Sequence, residues 1–276
     1  MKGYGRGPGV LLLHLALVGG GALTLFPLLW MLSASFMRSG EATTFPPHLI
    51  PHAATFEQYR ELFVRLNIGR AFLSSATIAV VATLGSLLFS SMAGYAFARL
   101  RFGGRDRLFG LLLSALIIPA QVGMLPLFLL MKSMHLVNSY WGAILPALAS
   151  VLGIFLIRQF MLSIPQELIE AARIEGAGEL RIYWSVVLPL AKPVLATLAI
   201  LTFMSTWNDF MWPLIILTDQ KRYTLPVAMA SLVGEHALDI ELMMAGAVVT
   251  VLPVLVVFLA LQRYYISGLM AGSVKG

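Results

Sequence analysis

Six apolar runs frame this chain, each near the roughly twenty residues that a helix needs to cross a bilayer. They cover about Val10–Leu32, Ala71–Ala98, Leu108–Met131, Trp141–Ile157, Val194–Leu217 and Met243–Leu261. Of 276 residues, 59% are hydrophobic and only 12% charged. Mean hydropathy is +0.86. A water-soluble domain of this length does not carry that composition. The predicted fold is therefore an all-α integral membrane protein with six transmembrane helices. The first run follows Lys2 and Arg6, and Ser33-Ala34-Ser35 resembles a signal-cleavage site. The run is longer than the roughly 7–15 apolar residues of a signal peptide, so it reads as an uncleaved anchor.

Cysteine is absent, which excludes disulfides, thiolate catalysis and cysteine-ligated metals. The net charge of +6 fits basic cytoplasmic loops more simply than nucleic-acid binding. With the N-terminus inside, twelve Lys and Arg face the cytoplasm and seven face out. The tight loop RLRFGGRDR alone carries four of the twelve. Six spans then place both termini, and the loop around Glu170, in the cytoplasm.

That loop, residues 163–193, is the main polar interruption on its side. Ser163 and Gln166 have capping-box spacing, and Pro165 suits a first helical turn. A short helix should start near Ile164, with Leu168, Ala171 and Ala172 on one face. Gly176 and Gly178 supply positive φ to end it. Leu180, Tyr183, Trp184, Val187 and Leu188 then form an amphipathic stripe, broken by Pro189 and Pro193. Spacing alone is met equally well by a solvated loop lying on lipid headgroups.

Glu170-Ala171-Ala172, then Gly176, then Leu188-Pro189 resembles the EAA loop of binding-protein-dependent ABC importer permeases. The family usually has Asp before the glycine and Ile two residues before Leu-Pro; here Glu175 and Val186 stand there. Gly94 to Arg105, Thr206 to Leu214 and Gln262 to Gly276 extend the likeness to carbohydrate-type permeases, and to the smaller of two paired permeases. The resemblance implies an ABC importer type I permease core at 71–262, preceded by an N-terminal span and extracytoplasmic loop at 1–70 and followed by a cytoplasmic tail at 263–276. It implies that Glu170, Ala171, Ala172, Glu175, Gly176, Leu188 and Pro189 couple to a cytoplasmic ATPase, with Gly176 setting the elbow so that a bulky replacement uncouples transport. It also implies that Gly268, Gly272, Lys275 and Gly276 reach that ATPase in an extended tail, whose bland alternative is a frayed terminus. The implied partners are a homologous second permease, a dimer of ATP-binding subunits, an extracytoplasmic solute-binding protein and the bilayer of a prokaryotic plasma membrane, with no nucleic acid. The chain itself is expected to bind no cofactor, and ATP and Mg belong to the partner ATPase. It has no GxxxxGK[ST] phosphate loop and is expected not to hydrolyse ATP itself, and the resemblance implies a transporter subunit and not an enzyme.

Polar residues inside the runs are the remaining signals. Pro119 and Pro126 bracket Gln121 and free backbone groups that hydrocarbon does not tolerate. Gln121 either faces the translocation path or makes an ordinary interhelical hydrogen bond. Asn208 and Asp209 sit between Trp207 and Trp212. Asp209 lies about 22 Å along the fifth run, in the outer half of a core of about 30 Å. It either lines an outer mouth or, the favoured alternative, pairs structurally, and the two tryptophans read as interfacial anchors. Phe56, Tyr59, Leu62 and Phe63 predict a short surface helix in the outer loop. His14, His48, His52, His135 and His236 have no carboxylate at metal spacing, and none is assigned to a metal. The rival functions are a stand-alone ion-coupled carrier, for which no internal repeat is visible, and an intramembrane enzyme, for which no nucleophile–base pair exists. The sugar stays open, and in a paired arrangement the other permease can hold most substrate contacts.

Overall fold

A backbone in hydrocarbon must satisfy its own hydrogen bonds, and the described chain does so with helices throughout. The computed structural model describes residues 8–235 and 239–273, and no strand occurs among them. In order the helices are α1 (Pro8–Ala34), α2 (Glu57–Arg60), α3 (Ile68–Arg99), α4 (Arg105–Ser114), α5 (Ala120–Ser133), α6 (Tyr140–Ile144), α7 (Val151–Leu162), α8 (Gln166–Ile174), α9 (Glu179–Ile182), α10 (Leu188–Leu190), α11 (Lys192–Trp207), α12 (Met211–Ile216), α13 (Leu225–Glu235) and α14 (Ile240–Ser273). Four stretches are long and apolar enough to cross a membrane: Gly9–Ala34, Ile68–Arg99, Tyr140–Leu162 and Ile240–Gln262. Two bent pairs make up to six if each pair is one span.

The third run is not one straight helix. Arg105–Ile117 and Ala120–Ser133 meet at 107°. Pro119 has no N–H and disfavours helical backbone at Ile118, which is extended at φ −82, ψ 121. Pro126, by contrast, stays inside α5. The fifth run also breaks: α11 ends at Trp207, and α12 starts only at Met211. A further bend of 78° separates Glu179–Leu190 from Lys192–Trp207.

The chain divides into two compact units. The first comprises residues 1–69 and 229–252. Ala34, Met37 and Ala42 form its small core, with Trp30, Ile240 and Met244 against it. Ala34 and Ser35, inside the cleavage-like triplet, are fully buried. The loop between α1 and α2 is tied down by carboxylates. Ala42 N donates to Glu241 Oε1 at 2.6 Å. Glu41 Oε1 accepts from His52 N at 2.7 Å and lies 2.9 Å from its Nδ1. This histidine partner, eleven residues away, escaped the search for metal spacing. The expected surface helix is α2 followed by a wider turn at Glu61–Arg65, with Leu62 fully buried.

The second unit, residues 70–228 and 253–276, is organised on α3. Its inward face is small and hydroxyl-rich: Ser74, Ser75, Ala79, Ala82, Ser86 and Ser90 are buried, while Leu73, Val80 and Leu84 face outward. Small residues let helices approach closely where no water drives them together. A Cβ on Gly94 would lie 2.6 Å from Ile157 Cγ2 and 3.1 Å from the Arg158 nitrogen. Hydroxyls add cross-links, Ser74 to Tyr140 and Ser91 to Tyr183, each at 2.7 Å.

Two expected outcomes follow from these contacts. Gly94→Val should destabilise the purified protein by about 1–3 kcal/mol through overpacking, whereas Gly103→Val, with open space around it, should leave the thermal midpoint in lipid nanodiscs unchanged. Glu41 is lowered from about 4.5 to about 2, chiefly by the His52 backbone N–H and then by its side chain. A depressed folded-state pKa gives stability that is complete above the unfolded value and lost as pH falls towards the folded one. The difference in protease resistance of the α1–α2 loop between wild type and Glu41→Gln should therefore be full above pH 4.5 and vanish by pH 2.

Candidate functional site

The loop after α7 folds as two short helices around an elbow. The capping box does not form: Ser163 Oγ donates back to Phe160 O at 2.7 Å and closes α7 instead. Pro165 stands at the N-cap position of α8 without a side-chain cap. Ile169 is fully buried and Ala172 half-buried, while Glu170, Ala171, Leu168, Ile174 and Glu175 are exposed. Gly176 takes φ +82. Its N–H reaches Arg173 O, and Ala177 N–H reaches Ala172 O, both at 3.0 Å. This is the paired closure that a left-handed residue after a helix permits. A Cβ at Gly176 would meet nothing within 4 Å, so the demand is on backbone conformation and not on bulk. Gly178 does not share the role; its φ is −71.

A clamp spans the elbow. Glu179 Oε1 accepts from Arg173 Nη2 at 2.8 Å and Nε at 2.9 Å, and Oε2 accepts from Tyr95 Oη at 2.6 Å. Arg99, one turn further along α3, donates Nη1 to Gln166 Oε1 at 2.7 Å and Nη2 to the carbonyls of Met161 and Ile164. Ile169, Ile182, Tyr183 and Val187 bury against Ile157, Met161 and Ile164. The predicted amphipathic stripe is split. Tyr183 and Val187 are inside and Leu188 is half-buried, but Leu180 is 72% and Trp184 50% exposed. The segment Tyr183–Val187 is a wider, π-type turn, and its extra residue rotates the stripe apart. Pro189 is exposed within α10. Sequence reasoning missed Tyr95, Arg99, Arg173 and Glu179; the only signal for the first two was their place in the Gly94–Arg105 stretch.

The polar residues of the spans also come together. Gln121, Asn208 and Asp209 line one open cleft of about 590 Å³ with Ser205, Thr206, Met124 and Phe210. Both helix breaks border it. Asp209 does not pair with a cation among the described residues. Its Oδ1 instead accepts from Trp212 N at 3.4 Å, across the break before α12. Asn208 Nδ2 donates to Met204 O at 2.9 Å. The tryptophans are not interfacial anchors. Trp207 is 1% exposed and stacks on Phe203, and Trp212 is buried with Nε1 bonded to Gly142 O at 3.0 Å. The tail differs from the expected extended insert, because α14 continues as helix through Gly268 and Gly272 to Ser273. Lys275 and Gly276 lie outside the described residues.

Apolar spans, a clamped polar elbow and a polar cleft at two helix breaks define a multi-pass transport protein. By its match over residues 86–270, the chain belongs to the binding-protein-dependent transport system inner membrane component family. It is 40% identical over 261 residues to the arabinooligosaccharides transport system permease protein AraQ of Halalkalibacterium halodurans, covering 92% of each chain. It is 38% identical over 253 residues to the melibiose/raffinose/stachyose import permease protein MelC of Bacillus subtilis, covering 91% of each. A chain from the crystal structure of a bacterial ABC transporter involved in import of the acidic polysaccharide alginate superposes with a TM-score of 0.81 at 27% identity, over 96% of this chain and all of that one. The chain is thus an ABC importer permease, with ATP hydrolysis in a separate subunit, and the stand-alone carrier reading is set aside.

The elbow makes a graded prediction. Residues with a β-branch are strained at positive φ, whereas Asn tolerates it. Gly176→Val should abolish most stimulated ATPase activity and uptake in the reconstituted importer, while the bulkier-than-glycine Gly176→Asn should retain more than half of both.

Proposed function

We propose that this chain is the smaller of two paired permeases in an ATP-driven importer of a sugar, oligosaccharide or related polyol or sugar phosphate, in a prokaryotic plasma membrane. Both termini and the elbow face the cytoplasm. The α8–α9 elbow docks on one ATPase subunit of a dimer, and an extracytoplasmic solute-binding protein delivers the substrate. The observation that carries this reading is the clamp: Glu179 joins the segment before the elbow, through Arg173, to span α3, through Tyr95. A push on the exposed face of Glu170 and Ala171 is therefore passed to a membrane-crossing helix and not absorbed by a slack loop. ATP-driven closure would draw this elbow and that of the second permease together and swing the spans between inward- and outward-facing states. Gln121, Asn208 and Asp209 line this chain's share of the path. The identities of the described relatives support a carbohydrate cargo.

The natural absence of cysteine makes the test direct. Ala171→Cys should be labelled by a membrane-impermeant maleimide in inside-out but not right-side-out vesicles, and should cross-link to the ATPase subunit in the assembled complex. Labelling from the outside, or no cross-link in an active complex, overturns the proposal. Tyr95→Phe should cut uptake several-fold more than it cuts ATPase activity, because it loosens the clamp without removing the docking face.

A further inference from the structure

Resting on the reading of the cleft as part of the transport path, the geometry points to its ligand class: an uncharged glycosyl unit, and not a sugar phosphate or uronate. The relatives leave this open, since they include permeases named for neutral oligosaccharides and a structure of an importer of an acidic polysaccharide. The cleft itself decides it. At about 590 Å³ it falls within the roughly 300–1,000 Å³ of small-molecule sites. Its chemistry is two-sided. Gln121 and Asn208 offer amide groups that both donate and accept, Asn208 keeping one N–H beyond its bond to Met204 O, and Ser205, whose proton goes to Thr202 O, offers an acceptor; this set suits sugar hydroxyls. Met124 and Phe210 offer apolar surface for the C–H face of a pyranose. Among the described residues, Asp209, an acceptor, is the one ionisable residue on the wall, and no Lys, Arg or His lines the cleft. An anion placed here would face a carboxylate with no compensating cation, and a desolvated unpaired charge is strongly disfavoured. The same carboxylate accepts two hydroxyls of a neutral sugar readily.

The position of the cleft explains why polar groups gather here. Irregular backbone at membrane depth survives only against protein or a water-filled space. Here Asn208–Phe210 line the space directly, and so do Ala120 and Gln121, the first residues after the Ile118–Pro119 break.

The test uses the complete reconstituted importer, in which this chain contributes no native thiol. Asn208→Cys is treated with a cationic (trimethylammonioethyl) and an anionic (sulfonatoethyl) methanethiosulfonate, each rate being divided by that reagent's rate with a free small thiol. The unsubstituted complex serves as background. The cationic reagent should react roughly tenfold faster, the order expected for one nearby unit charge, and Asp209→Asn should remove the preference. Among arabinobiose, melibiose, chitobiose and maltose, at least one should protect the thiol. Glycerol 3-phosphate and digalacturonate should not. Equal protection by the anionic probes, or no charge preference, overturns the ligand class while leaving the path reading in place. No reactivity, or no protection by any probe, overturns the path reading itself.

Discussion

Hydrocarbon offers no partner for an unpaired amide, and every departure from helix in this chain has to answer to that fact. The breaks are few and placed by chemistry. Pro119 ends one helix by sterics and a missing N–H. Asn208 and Asp209 end another with side chains that bond local backbone, Asn208 to Met204 O and Asp209 to Trp212 N. Each substitutes a side-chain or solvent partner for a lost helical bond. The transport cleft proposed here is a consequence of where those substitutions had to happen.

Helix α3 is the second organising element. In water its serines and alanines would make a weak core, because they bury little apolar area. In a membrane, small side chains are an advantage, since they allow backbones to close to contact distance. Gly94 against Ile157 is one such close approach, and just beyond it Tyr95 and Arg99 take hold of the loop after α7. Close packing and loop attachment therefore fall on the same end of one helix, within two turns.

Much of this was legible from the chain alone. Val10 to Leu32 and Met243 to Leu261 read as spans because each residue's solvent preference is local. Gly176 read as the elbow because positive φ is a single-residue demand, and it adopts φ +82. Other readings failed for equally physical reasons. Ser163 has the spacing of a cap, yet its hydroxyl found the nearer Phe160 carbonyl. Trp184 belongs to a stripe at helical spacing, yet a wider turn rotated it out. Trp207 and Trp212 have the composition of interfacial anchors, yet Phe203, Phe72 and the Gly142 carbonyl hold them inside.

The sequence by itself determined which segments are apolar enough to enter a membrane and which loop carries the polar elbow, because hydrophobicity and glycine freedom act within a few residues. Only the tertiary structure decided that Gln121 and Asp209 share a cleft, that Glu179 links Arg173 to Tyr95, and that the third run bends through 107°. Those outcomes depend on the rotation and crossing of helices far apart in the chain. No periodicity encodes them, since they are set by how side chains on different elements fill the same space.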